Sequence, residues 1–196
     1  FGVGSAMPIA HARRLCPQAL IVPPRFERYQ QVSQVIMDLF EDFSPSVEAL
    51  SLDEAFLDMT GSDKLFGTPE QIGRKLKAAV CDATGGLTAS VGISGTKYVA
   101  KVASGHRKPD GLTVVPPDDA RAWLAPQPVK NLWGAGPKTA ARLETLGLHT
   151  IGDVAACDSH WLERSLGALG LRFIALAHGE DVREVVGSRT SRGLSS

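Results

Sequence analysis

The sequence has few cysteines and no long apolar run. Cys16, Cys81 and Cys157 lie far apart and form no Cys-x-x-Cys pair, so neither a zinc site nor a disulfide framework is predicted. No stretch is long and apolar enough to suggest a membrane-spanning helix, and there is no signal-peptide pattern. We therefore expect a cytoplasmic protein without membrane attachment.

An excess of charge of either sign is also absent. The sequence has a formal net charge of +0 and is 43% hydrophobic. Its length of 196 residues is enough for one large domain or two small ones. The first residue is Phe1 rather than a methionine, and the last residues are polar. We therefore expect the chain to be a fragment of a longer protein.

Charge of one sign is missing from three segments. Residues 29–63 contain no Lys or Arg but eight acids, whereas residues 96–109 and 120–143 contain basic residues and no acid. An acidic centre between basic segments is typical of a metal-dependent reaction on a polyanion. Solvated helix faces would give the same runs.

The spacing of apolar residues predicts an α+β unit followed by an all-helical unit. The order helix, hairpin, helix, strand, helix, strand predicts a sheet with helices on one face. A boundary is expected near Pro116, because no strand pattern follows it. The helices expected beyond it span residues 118–124, 137–146, 151–155 and 161–177.

The first candidate site is the adjacent acid pair Asp53-Glu54. Neighbouring side chains of a regular strand point to opposite faces, so these two converge only if the chain bends. We expect a hairpin with residues 50–52 and 55–57 as its arms and the acids at its tip. Carboxylates gathered in this way can bind a divalent cation, although a solvated acidic turn fits the spacing equally well.

The second candidate is a basic helix followed by a loop. Lys97 and Lys101 are four residues apart and share one helix face. Lys108 follows the helix, where a loop could bring its ammonium group to a phosphate. For Lys97 or Lys101 alone, a solvated basic helix explains the pattern at least as well.

The third candidate is the segment Leu132-Trp133-Gly134-Ala135-Gly136, which Pro137 follows. A hydrophobic residue, two glycines and a proline that opens a helix are typical of a helix-hairpin-helix turn. Glycines let the backbone approach a phosphate, and the N–H groups of the following helix can bind the anion. This favours sequence-independent binding of a DNA backbone over a plain turn between helices.

Together these segments resemble the Y-family of translesion DNA polymerases, most closely its DNA polymerase IV (ImpB/MucB/SamB-type) branch. The resemblance covers residues 1–183. Its most specific parts are residues 2–8 (GVGSAMP), 51–58 (SLDEAFLD), 90–104, 108–111 (KPDG), 132–153 and 179–183 (GEDVR).

The resemblance implies a division into domains. Residues 1–24 would be the remainder of a fingers domain, and residues 25–115 would be most of a catalytic palm. Residues 116–183 would be a helical thumb with the helix-hairpin-helix, and residues 184–196 a linker to a little finger domain outside this chain. A sliding clamp would bind through a region that is also outside it.

The resemblance also implies roles at the active site. Asp53 and Glu54 would be the second and third carboxylates that bind two Mg²⁺ ions. Lys108 would contact the triphosphate of an incoming deoxynucleotide, and Ser5 and Ala6 would be small residues above the nascent base pair. The first carboxylate would precede Phe1, so this chain alone is not expected to polymerise.

For primer-template DNA, the resemblance implies contacts from Gly134, Gly136, Lys138, Thr139 and Lys97. One departure is local, because Gly95-Thr96 stands where the family usually has an Asn before the lysine. The residues that select the sugar would lie upstream.

The predicted function is template-directed DNA synthesis past lesions. A non-catalytic DNA-binding accessory protein with a polymerase-like shape is the first alternative, although such a protein would be expected to have lost the acids. A palm-type cyclase is the second, and the helix-hairpin-helix argues against it because a cyclase holds no duplex.

Overall fold

The computed structural model describes residues 1–187, which contain ten α-helices and four strands. The helices are α1 (Ile9–Leu15), α2 (Phe26–Glu41), α3 (Asp63–Phe66), α4 (Pro69–Thr84), α5 (Lys97–His106), α6 (Ala120–Leu124), α7 (Pro137–Thr145), α8 (Ile151–Ala155), α9 (Ser159–Leu166) and α10 (Ala168–Ala177). The strands are β1 (Val47–Ala49), β2 (Ala55–Leu57), β3 (Val91–Ile93) and β4 (Leu112–Val114). The predicted α+β fold with a helical second half is confirmed.

The predicted hairpin is present, but its first arm lies earlier than expected. β1 and β2 are antiparallel, with Val47 opposite Leu57. The N–H groups of Leu50 and Ser51 both donate to the carbonyl of Glu54, over 2.8 and 3.2 Å. The prediction that residues 50–52 form an arm was therefore wrong, because these residues are used to close the turn.

The second sheet is a parallel pair that α5 connects. β3 and β4 lie side by side, with Val91 opposite Leu112. A Cβ at Gly92 would collide with the backbone of α5, whereas one at Gly73 of α4 would meet the side chains of Ile93 and Leu112. Because Gly92 and Ile93 face opposite sides of the strand, α4 and α5 cover opposite faces. The sequence predicted helices on one face of the sheet, and the structure adds one helix, α5, on the other face.

Local sequence accounts for where α4 begins and ends. The Thr68 hydroxyl accepts the N–H of Gln71, the Gln71 side chain accepts the N–H of Thr68, and Pro69 is the first helical residue. This capping box satisfies donors that a helix start leaves free. Gly85 ends the helix with a φ of 70°, a conformation that glycine adopts without steric cost.

The helical half has a dense core that extends into α5. Tyr98 and Val99 of α5 are 0% exposed, as are Leu124, Leu143 and Phe173 of the helical half, and all belong to one hydrophobic cluster. Burial of such a side chain contributes about 1.5–3 kcal/mol. The α+β part before Pro116 and the helical part after it therefore share one hydrophobic core.

The run predicted as one helix over residues 161–177 is two helices. Gly167 has a φ of 66° and separates α9 from α10. Gly170 then lies against the backbone of Leu162, so the two helices pack closely as a pair. Within residues 1–187, no helix is both long and apolar enough to cross a membrane.

Candidate active site and nucleic-acid interface

The acid pair lies in the exposed turn between β1 and β2. The Ser51 hydroxyl donates to Asp53 Oδ1 over 2.7 Å and accepts the N–H of Asp53 over 3.4 Å. Glu54 Oε2 forms an ion pair of 2.8 Å with Lys101 Nζ of α5. The turn therefore presents two carboxylates beside one ammonium group, and both carboxylates are accessible from solvent.

The turn opens on a cleft of about 1750 Å³ that Asp53, Glu54, Lys101 and Lys108 all line. The floor of the cleft is apolar and consists of side chains from α2 and α4 together with β2 and β3. The structure thus brings the predicted metal-binding and triphosphate-binding residues to one cavity.

The loop that contains Lys108 is held by α4 and by its own backbone. Lys77 Nζ forms an ion pair of 2.9 Å with Asp110 and also donates to the Asp110 carbonyl. The N–H of Gly111 donates to Ser90 Oγ over 3.3 Å, and a Cβ at Gly111 would collide with the backbone of Arg107. These contacts fix the backbone on the C-terminal side of Lys108 while its own side chain stays exposed.

Lys97 does not have the free side chain that its predicted role in DNA binding requires. Its Nζ lies 2.6 Å from both carboxylate oxygens of Glu48 and 3.1 Å from the Glu184 carbonyl, and its side chain is 9% exposed. An ammonium group has three donors, and all three are used. In this structure Lys97 ties α5 to β1, and its contact with DNA stays a prediction.

The same contacts alter Glu48. The hydrogen bond from Lys97, together with that from the Val186 N–H, lowers the pKa of the Glu48 carboxyl. Both donors favour the charged form of the carboxyl. Glu48 is therefore a structural anion that joins β1, α5 and the segment after α10.

The turn before α7 has an exposed backbone at its glycines. Gly134 has a φ of 101° and so needs to be glycine, whereas Gly136 has a φ of −63°. A Cβ at Gly136 would have no atom within 4 Å, and no side chain caps α7. The fold therefore does not require glycine at residue 136, and Lys138 and Thr139 lie in the first turn of a helix whose N–H groups point outward.

Ser5 and Ala6 lie in an exposed turn before α1, and Ala6 has a φ of 60°. Neither residue is among those that line the cleft in residues 1–187. The structure thus does not bring them to the acids, and their position above a base pair stays a prediction.

Sequence reasoning missed a cluster of rings and charges beside the acids. The Phe56 and Trp133 rings are stacked with centroids 5.8 Å apart, and the Arg183 guanidinium lies 3.9 Å from the Trp133 centroid. Arg183 in turn pairs with Asp181 over 2.7 Å. Although burial would raise it, the hydrogen bonds from Arg183 hold the pKa of Asp181 below its ordinary value.

Family models match both halves of the chain. Residues 1–105 match the model described as the impB/mucB/samB family, and this match covers more than half of the chain. The chain belongs to the impB/mucB/samB family. Residues 117–148 match the HHH motif of the same family, which confirms the predicted helix-hairpin-helix around Gly134 and Gly136.

Relatives of this family are similar over the whole chain. DNA polymerase IV of Halorhodospira halophila is 43% identical over 196 residues, which are 100% of this chain and 55% of that protein. DNA polymerase IV of Caulobacter vibrioides is 40% identical over 196 residues, which are 100% of this chain and 48% of that protein. The chain thus spans about half the length of the curated relatives it matches, and the resemblance to the DNA polymerase IV branch is confirmed.

Solved structures have the same fold. DinB from Sulfolobus solfataricus superposes with a TM-score of 0.85 at 30% identity, over 94% of this chain and 54% of that one. An insertion ternary complex of Dbh DNA polymerase gives a TM-score of 0.82 at 31% identity, again over 94% of this chain and 54% of that one.

Proposed function

We propose that the parent protein is a template-directed DNA polymerase that synthesises DNA past lesions. The single observation that supports this most is that Asp53, Glu54 and Lys108 open on one cleft. Family membership and relatives named DNA polymerase IV over the full chain agree with it. The reaction would join a deoxynucleotide to a primer 3′-OH by in-line attack on the α-phosphate.

The donor set of the turn fits Mg²⁺ in part. Asp53 and Glu54 provide the hard oxygen ligands that Mg²⁺ prefers. Both are exposed and adjacent on a tight turn. No group of three or more possible ligands occurs in the part of the chain that the structure describes, so waters, substrate phosphates or a further carboxylate would complete the coordination. When bound, two such ions would neutralise phosphate charge and orient the reacting oxygens.

We propose that a strand upstream of Phe1 supplies that carboxylate. The described strands form two separate two-stranded sheets, and β2 and β3 line the cleft between α2 and α4. Unpaired strand edges accept a further strand, and the apolar floor would bury its side chains. A strand in this position would end beside Asp53 and Glu54.

The remaining residues would bind the substrates. Lys108 would pair with the triphosphate as a point charge, on a loop that Lys77 and Asp110 hold. Gly136, Lys138 and Thr139 would bind a phosphate of the primer strand at the exposed start of α7. The position of Ser5 and Ala6 above the nascent base pair, the binding of a sliding clamp and the domain boundaries stay predictions from the resemblance. A cytoplasmic location stays a prediction from the sequence.

The test is primer extension by the full-length protein with Mg²⁺. Glu54→Ala is expected to abolish extension while primer-template binding stays near that of the unchanged protein, because α7 and its turn are intact. Losses of at least about 100-fold are typical when one group that stabilises transition-state charge is removed.

Asp58→Asn is the matched control, because Asp58 is a nearby acid whose carboxylate accepts the Thr60 N–H over 3.0 Å. It is expected to keep extension near normal. Normal extension by Glu54→Ala would remove Glu54 from the mechanism. Absence of extension by the unchanged protein, with DNA binding retained, would favour the accessory protein instead.

A further inference from the structure

We infer that Trp133 is a positioning residue for the proposed nucleotidyl transfer. Its indole fixes the helix-hairpin-helix turn against the hairpin that bears the acids. This inference rests on the proposed function, because it concerns how the primer end is placed relative to Asp53 and Glu54.

The stacked pair Phe56–Trp133 connects the acid turn with the helix-hairpin-helix turn, and each ring lies within two residues of its own segment. Phe56 follows Glu54 by two residues, and Trp133 immediately precedes Gly134. The ring centroids are 5.8 Å apart and the ring planes meet at 26°. Any shift of the phosphate-binding turn relative to the acids must therefore slide or separate these two rings.

The indole also contacts a cation whose position is fixed. Arg183 Cζ lies 3.9 Å from the Trp133 centroid. Arg183 Nε and Nη2 donate to the two carboxylate oxygens of Asp181, each over 2.7 Å. A bidentate pair of this kind fixes the plane of the guanidinium.

Asp181 is itself anchored in the fold. Its side chain is 3% exposed, and it accepts the N–H of Tyr98 in the first turn of α5 over 3.0 Å. The indole therefore contacts both Phe56 of β2 and an arginine whose orientation is set, through Asp181, by α5. This gives the ring a defined position although it is only half-buried.

The same ring lies beside the partner of Glu54. Lys101 Nζ is 5.7 Å from the Trp133 centroid and 2.8 Å from Glu54 Oε2. Cations at this distance from an indole face are attracted to it. Trp133 thus contributes to the placement of a lysine at the acid pair as well as to that of the turn.

In-line attack is sensitive to such placement. A displacement of about 1 Å at the reacting atoms costs on the order of 100-fold in rate. Loss of the indole would remove neither carboxylate, nor Lys108, nor the free N–H groups of α7, but it would release the turn from the hairpin. The expected consequence is a lower rate of transfer with substrate affinities largely kept.

The experiment compares Trp133→Leu with Trp123→Leu in the full-length protein. Trp123 is also half-buried, and its ring centroid lies 5.4 Å from that of His106. Among residues 1–187, it is not one of those that line the cleft. For Trp133→Leu we expect kcat for nucleotide addition to fall about 30-fold, with KM for the nucleotide and Kd for primer-template within about threefold. Trp133→Phe should recover most of the rate, and Trp123→Leu should keep it.

Arg183→Gln provides a second variant in case Trp133→Leu does not fold, and it should lower kcat in the same selective way. Equal kcat values for Trp133→Leu and Trp123→Leu, or an unchanged kcat for Arg183→Gln, would overturn the inference. So would a loss confined to Kd for DNA. If the unchanged protein extends primers and Glu54→Ala does not, the proposed function stands whatever Trp133 does.

Discussion

The hairpin with the acids and the helical half are built in different ways. β1 and β2 have three residues each, none of them fully buried, and their turn is exposed. The helical half contains side chains such as Leu143, Ile151 and Phe173 that are 0% exposed. Hydrophobic burial thus stabilises one region, while backbone hydrogen bonds, ion pairs and stacked rings hold the other.

This difference indicates how the acid pair can remain accessible from solvent while the hairpin that bears it keeps a defined position. Carboxylates that are to bind cations must stay accessible, so a packed core cannot surround them. Here α5 has buried residues in the helical core and also provides Lys97 and Lys101 to the hairpin. The dense region therefore positions the exposed one through α5, together with the Phe56–Trp133 stack.

The largest expected effect on stability separates the two regions directly. Phe173→Ala should lower the free energy of unfolding by about 3–5 kcal/mol, because it removes a fully buried ring. Leu57→Ala in half-buried β2 should cost only about 1 kcal/mol. Urea denaturation of the full-length protein measures both, and equal losses would contradict the contrast.

A smaller effect should appear on DNA binding alone. Gly136→Ala places a Cβ in open space at a residue with φ of −63°, so the urea midpoint should stay near that of the unchanged protein. The methyl group would obstruct a phosphate at the turn, and primer-template affinity should fall about tenfold, which is 1.4 kcal/mol. Gly105→Ala, also in open space but on α5, is the control for binding.

The salt dependence of binding sharpens this test. If Gly136 adjoins a phosphate, the variant should bind more weakly at every salt concentration tested. DNA affinity equal to that of Gly105→Ala would argue against a phosphate at this turn.

The smallest expected effect concerns pH and the polar contacts of the hairpin. The folded-state pKa of Glu48 is lowered by Lys97 and the Val186 N–H, so its contribution to stability is complete above the unfolded pKa of about 4.3. That contribution is lost as pH falls through the lower folded value. Glu48→Gln should therefore be less stable than the unchanged protein at pH 6, and the gap should narrow toward pH 3.

Melting temperatures across that range provide the measurement. Glu163→Gln, on the exposed side of α9, is a matched control and should differ little from the unchanged protein throughout. A gap for Glu48→Gln that is constant with pH would show that the Lys97 ion pair contributes nothing.

The sequence predicted those features that depend on neighbouring residues. The acid turn lies in a hairpin, as predicted. The start of α4 at Thr68 and Pro69 and the capping box of α8 from Thr150 and Asp153 are local in the same sense. Each depends on residues within a few positions of one another, and their hydrogen-bonding chemistry is local.

Features that depend on distant residues were not predictable in this way. Lys97 pairs with Glu48, which is 49 residues away, and nothing in a basic helix face reveals such a partner. The spacing of apolar residues over 161–177 predicted one helix, and it did not reveal that Gly167 adopts a positive φ that ends α9 before α10 begins. The clamp of Arg183 on Trp133 likewise requires the fold to bring separate segments together.

One consequence follows from the path of the chain after α10. Residues past Asp181 return to the first strand, where Val186 donates to Glu48 and Gly187 lies against Ser46. The chain therefore leaves the described structure at the base of the hairpin, at the end opposite the acid turn. Tension on the polypeptide at that exit would act on the base of the hairpin before it reached any helix of the second half.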